Sequence, residues 1–183
     1  MKNVRLYKLV LCALLSALAL ITFTIESLFP PIILPGARLG LSNVFILLCL
    51  ILLGVPYAFS ALVIKTIIGS LFAGNISMIL YSLPAGAIAL SIEIIILYFV
   101  KKSSIVSVSV AGAILNSALQ NLTFCIVTGF IEYLSYLPYL TLIAIPSGVL
   151  IGFIVYLIAK RLPQKLVINT TKQVTSIEKD GNL

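Results

Sequence analysis

The chain has 183 residues, of which 61% are hydrophobic and 9% charged, and its mean hydropathy is +1.23. That is far more apolar than the roughly 45–50% expected of a soluble domain, which excludes a soluble globular protein and predicts an all-α integral membrane protein. A formal net charge of +7 would suit nucleic acid in a soluble chain, but the cations cluster at the ends of apolar stretches, so the expected partner is the lipid bilayer and no nucleic acid.

The apolar sequence from about Leu6 to Ala159 is broken by turn chemistry into six candidate transmembrane helices. The first runs from Leu6 to Phe29. Its basic start resembles a signal peptide, but the apolar run is longer than an h-region, so it reads as a retained helix. Ala13 and Ala17 make an Ala-x-x-x-Ala pattern, with Ser16 and Ala19 adding small surface that lets another helix approach closely. Internal packing and docking of an external partner both fit that spacing.

A connector with Pro30-Pro31 and Pro35-Gly36 leads to the second piece, Leu39 to Gly54. Being stiff and apolar, the connector suits a cover over an outward-facing cavity. Gly54-Val55-Pro56 precedes the third piece, Tyr57 to Phe72, and both pieces are short enough to predict a thinned or packed region in place of a full crossing. The fourth, fifth and sixth run from Ile76 to Val100, Ile105 to Ile131 and Leu137 to Ala159. Residues 1–166 thus form one membrane domain, and the polar stretch 167–183 reads as a disordered cytoplasmic tail.

Lys and Arg accumulate in cytoplasmic loops. Lys2, Arg5, Lys8, Lys101, Lys102, Lys160, Arg161 and Lys165 fall on one side of a six-span arrangement, with Arg38 alone opposite. Both termini are therefore expected in the cytoplasm of a multi-pass protein of a bacterial-type plasma membrane.

Two intramembrane charges stand out. Lys65 lies about 12 Å and Glu93 about 10 Å from the same face at 1.5 Å per residue. A buried cation costs roughly 2.5–3.5 kcal/mol unless it faces protein, water or a counter-charge. Three readings follow: a Lys65–Glu93 ion pair between adjacent helices, a site gripping an anionic ligand, or snorkelling of each charge towards the cytoplasm. On the fifth piece Asn116 with Gln120, and Ser117 with Asn121, are spaced i, i+4 and make one polar stripe, extended by Thr123 or Thr128. It serves either interhelical hydrogen bonding or a pocket lining that offers donors and acceptors to a polar ligand. Near the outer face gather Glu26, Arg38 and Glu132.

Cys12, Cys49 and Cys125 lie in apolar segments without metal-ligand spacing, and read as small buried hydrophobes. His is absent and the only Asp is Asp180. No metal site, resident cofactor, nucleotide-binding motif or nucleophile system is expected, and hence no enzyme.

The block Pro35-Gly36-Ala37-Arg38-Leu39-Gly40-Leu41-Ser42-Asn43, the run Lys65 to Gly74, and Ala111-Gly112-Ala113 with Gln120 together resemble the Gx transporter family. Its members are often labelled heptaprenyl diphosphate synthase component I, and look like the substrate-binding S components of energy-coupling factor (ECF) transporters. The resemblance covers about Leu6 to Leu162. Lys65 stands where an Arg is common, Asn116 where His is common, and Leu119 replaces a small residue. The resemblance implies an S-component-like bundle binding a small molecule, a vitamin, flavin or isoprenoid-like compound, through Arg38, Asn43, Lys65, Asn116 and Gln120. It further implies a transmembrane coupling protein and ATPase subunits as partners, docking on Ala13 and Ala17. The alternative is a non-catalytic membrane subunit in isoprenoid or quinone biosynthesis or flavin-linked extracellular electron transfer.

Overall fold

The computed structural model describes residues 2–28, 40–99 and 104–161. Within them the chain is helical: α1 (Lys2–Leu28), α2 (Asn43–Leu52), α3 (Val55–Phe72), α4 (Ser77–Phe99), α5 (Ile105–Thr128), a 3₁₀ helix (Ile131–Tyr136) and α6 (Leu137–Arg161). Five of these helices are long and apolar enough to cross a bilayer. The protein is an all-α, multi-pass membrane protein. Arg38, the Pro-rich connector, Lys101, Lys102 and the polar tail 167–183 lie outside the described residues.

The exception to full length is α2. Its ten residues span about 15 Å, half the roughly 30 Å of hydrocarbon. Eight of the ten are buried, so α2 is apolar on every side because protein surrounds it, while the long helices show Leu6, Leu14, Ile21, Ile95, Ile126 and Leu142 outward. The chain turns from α2 into α3 at Gly54, whose φ of +102° belongs to the left-handed region open to glycine.

Neighbours set the order of the bundle. α1 packs on α2 and α3, α3 on α4, α4 on α5, α5 on α6, and α6 returns to α2. Close contacts give the directions. Phe23 of α1 lies on Gly69 of α3, and the Cys12 thiol donates to the Tyr57 carbonyl at 3.7 Å, so those two helices are parallel. Leu62 meets Gly86 across the short turn between α3 and α4, Glu93 meets Gly112 while Tyr81 meets Phe124, and Gly148 and Gly152 meet Val110 and Val106, so α3/α4, α4/α5 and α5/α6 are antiparallel. The start of α1 and the end of α6 therefore share one end of the bundle, and with them Arg5, Lys8, Lys160 and Arg161.

The tightest seam joins α5 and α6. Gly148 and Gly152, one turn apart, bring α6 against the backbone of Val110 and Val106, where a Cβ would come within 2.7 and 2.6 Å of the facing Cα atoms. Small residues at this spacing let backbones approach where hydrocarbon gives no hydrophobic drive for helices to associate. Cys12, Cys49 and Cys125 are free and buried.

Candidate functional site

A small, partly open cleft is lined by five helices or their leading turns. α1 supplies Phe23 and Glu26, the entry to α2 supplies Gly40, Ser42 and Asn43, and α3 supplies Leu62 and Lys65. Ser82 and Gly86 come from α4, Asn116 and Gln120 from α5. These positions fall in the later part of α1 and α5 and the earlier part of α4, so the cleft occupies the half of the bundle away from the basic end. It exists at this depth because α2 is half-length: counted from Gly54, Asn43 lies eleven residues back and Lys65 eleven residues on.

Lys65 organises the wall. It is only 5% exposed, and its ammonium donates to the Asn43 carboxamide oxygen at 2.6 Å and to the Ser42 hydroxyl at 3.2 Å. The Phe23 ring centroid lies 5.8 Å from Nζ, within reach of a cation–π attraction. That ring lies against α3 because residue 69 is glycine; a Cβ there would overlap it. Gly40 lies against the other flank of Asn43, where an added Cβ would come 3.2 Å from Nδ2 and where φ is +68°. Both conditions favour glycine at position 40.

Glu26 reaches the same region from α1. Its Oε1 accepts from the Leu41 N–H at 2.6 Å, fixing the backbone that leads into α2 and setting a carboxylate beside the positive end of that helix. Glu93 is arranged differently. It projects from α4 onto Gly112 of α5, where a Cβ would overlap its carboxylate. The charge of Lys65 acts on Glu93, while the described hydrogen bonds of Lys65 run to Asn43 and Ser42. Glu93 does not line the cleft as described.

The polar stripe of α5 divides. Asn116 and Gln120 face the cleft. Asn121 is buried elsewhere, its Nδ2 donating to the Tyr133 carbonyl at 3.3 Å and its oxygen accepting from the Cys125 thiol at 3.8 Å. Thr123 and Thr128 donate back to the carbonyls of Leu119 and Phe124. Beside them Tyr81, Phe124 and Tyr133 stack edge to face, with centroids 5.5 and 5.4 Å apart. Glu132, on the 3₁₀ helix, is exposed. Ala13 and Ala17 are exposed on α1, whereas Ser16 and Ala19 are buried against its neighbours.

Of the five residues singled out for substrate, Asn43, Lys65, Asn116 and Gln120 thus meet in one cleft, and Arg38 lies outside the described residues. Phe23, Ser82 and Gly86 were given no role by sequence reasoning. Ser82 and Gly86 are four apart on α4, a polar and small pair that could have been read as a helix face turned to protein. Among the described residues no group of three or more His, Cys, Asp or Glu could hold a metal ion.

The family model for heptaprenyl diphosphate synthase component I covers residues 15–158. No curated protein and no solved structure matches the chain.

Proposed function

The chain belongs to the heptaprenyl diphosphate synthase component I family, and we propose that it works as a substrate-capturing membrane subunit of the S-component type, taking a small molecule from the outer face of the cell membrane. The observation carrying this reading is the convergence of Asn43, Lys65, Asn116 and Gln120 on one cleft in the half of the bundle away from the basic end. Cations favour the cytoplasmic side, so such a cleft faces outward. A carboxamide pair one helical turn apart offers four donor N–H bonds and two acceptor oxygens, and a buried ammonium adds further donors. Intramembrane polar groups arranged around a cavity are the usual mark of a binding or transport pathway. Release into the cell would fall to a transmembrane coupling protein and paired ATPases docking along Ala13 and Ala17. The ligand class stays that of a vitamin, flavin or isoprenoid-like compound.

The family's description supports a second reading, in which the chain is a membrane partner of a prenyl diphosphate synthase and has no catalytic role of its own. With Asp180 as its sole aspartate the chain cannot assemble the oxygen-rich cage that magnesium and diphosphate demand. Native mass spectrometry of the gently solubilised protein separates the two. A single stoichiometric solute, lost in Gln120→Ala and Asn116→Ala with the fold intact, supports capture. A retained synthase subunit with no solute supports the partner role and refutes capture.

A further inference from the structure

The described hydrogen bonds of Lys65 run from the cleft wall back onto the chain itself, and this permits a step that rests on the capture reading. We infer that Asn43 is a stand-in for the substrate: its carboxamide oxygen holds the Lys65 ammonium until an oxygen acceptor of the solute, a carboxylate, phosphate or polarised carbonyl, takes its place.

Four observations lead there. The Lys65–Asn43 contact, at 2.6 Å, is the shorter of the two described hydrogen bonds and has charge-assisted geometry, while Ser42 at 3.2 Å is the weaker partner. Asn43, Lys65, Asn116 and Gln120 all line the same cleft, so a solute in it has the ammonium and the two α5 carboxamides among its walls. Asn43 is the first residue of α2, and the described hydrogen bond of its side chain is the one to Lys65, so turning away from the ammonium breaks no other described hydrogen bond. Finally, a lysine buried at 5% exposure needs a partner at all times, which an internal acceptor supplies when no solute is bound.

Such a stand-in competes with the substrate. Intrinsic affinity is reduced by the fraction of protein in which Lys65 is already engaged. Removing the competitor should therefore tighten binding by roughly tenfold, the weight of one hydrogen bond to a charged group. A residue that itself contacts the solute behaves in the opposite way.

The test reads the fraction of the co-purifying molecule retained by the full chain in native mass spectrometry after graded dilution, with the molecule identified on release. Asn43→Ala is expected to retain it to about tenfold greater dilution than wild type, and Lys65→Met to lose it. Asn43→Asp, which replaces a neutral competitor with a charged one, is expected to retain it about tenfold less well while remaining folded. Wild-type protein without any retained solute ends the capture reading itself. Wild-type retention accompanied by equal or weaker retention in Asn43→Ala overturns only the stand-in role. If Asn43→Ala does not fold, undiminished retention in Asn43→Asp overturns it alone. A retained molecule without an oxygen acceptor, or a phospholipid in place of a free solute, also overturns it.

Discussion

Adding one methyl group to the α5–α6 seam gives a sharp test of how the bundle is held. In Gly152→Ala the new Cβ would lie 2.6 Å from the Val106 Cα and 3.0 Å from the Ser109 Cβ. Carbon pairs prefer about 3.5–4.0 Å, so the overlap is about 1 Å, and its main partner is backbone that cannot rotate aside. The helices must part, at a cost of about 2 kcal/mol within the usual range for overpacking. Gly148→Ala, with Val110 Cα at 2.7 Å, demands the same separation. One parting serves both substitutions, so the double variant should cost about 3 kcal/mol and not the sum of two. For a chain of this size about 2 kcal/mol corresponds to a Tm lowered by roughly 4–8 °C. Cys12, Cys49 and Cys125 are free and buried, so a thiol-reactive dye reports unfolding on heating in mild detergent without added labels. A Gly152→Ala protein melting within 1 °C of wild type would refute the close seam, and full additivity in the double variant would refute the shared separation.

Gly69→Ala should push the Phe23 ring off α3 and away from Lys65, costing about 1–3 kcal/mol and weakening solute retention; the dye assay and native mass spectrometry read the two effects together. Glu26→Ala removes the acceptor of the Leu41 N–H, with an expected loss of about 1–3 kcal/mol, whereas Glu26→Gln keeps an acceptor oxygen and loses less. Ala13→Leu with Ala17→Leu alters only exposed positions, so stability should stay within about 0.5 kcal/mol while co-purification of a coupling partner falls. Retention of the partner in that variant would remove Ala13 and Ala17 from the docking surface.

Apolar length and turn chemistry were enough to locate the long helices. The pieces expected at Tyr57 to Phe72 and Ile105 to Ile131 appear as Val55–Phe72 and Ile105–Thr128. The 3₁₀ helix at Ile131–Tyr136 was not foreseen, because its residues carry no helical periodicity and are held instead by Asn121 and the Phe124–Tyr133 contact. Within the site, Lys65 and the Asn116–Gln120 pair were legible because hydrocarbon makes any polar side chain conspicuous. The described hydrogen bonds of Lys65 to Asn43 and Ser42 were not. Matching depth from one face pointed to Glu93, and only the half-length of α2 brings Asn43 to the level of the ammonium. Phe23 and Gly69 were hidden for a different reason: an aromatic and a glycine in an apolar run carry no sign of the cation they shelter.

The 27 residues of α1 form one rod about 40 Å long. About its middle the rod bears Ala13 and Ala17 on its exposed side, and towards its far end it bears Phe23 and Glu26 in the cleft wall. Among the described residues its main supports are α2 and α3, the two helices that carry Asn43 and Lys65. A rigid helix carries a displacement along its length. A tilt imposed at Ala13 and Ala17 would therefore shift the ring over the ammonium and the carboxylate that fixes Leu41, so α1 is both a wall of the cleft and a lever upon it.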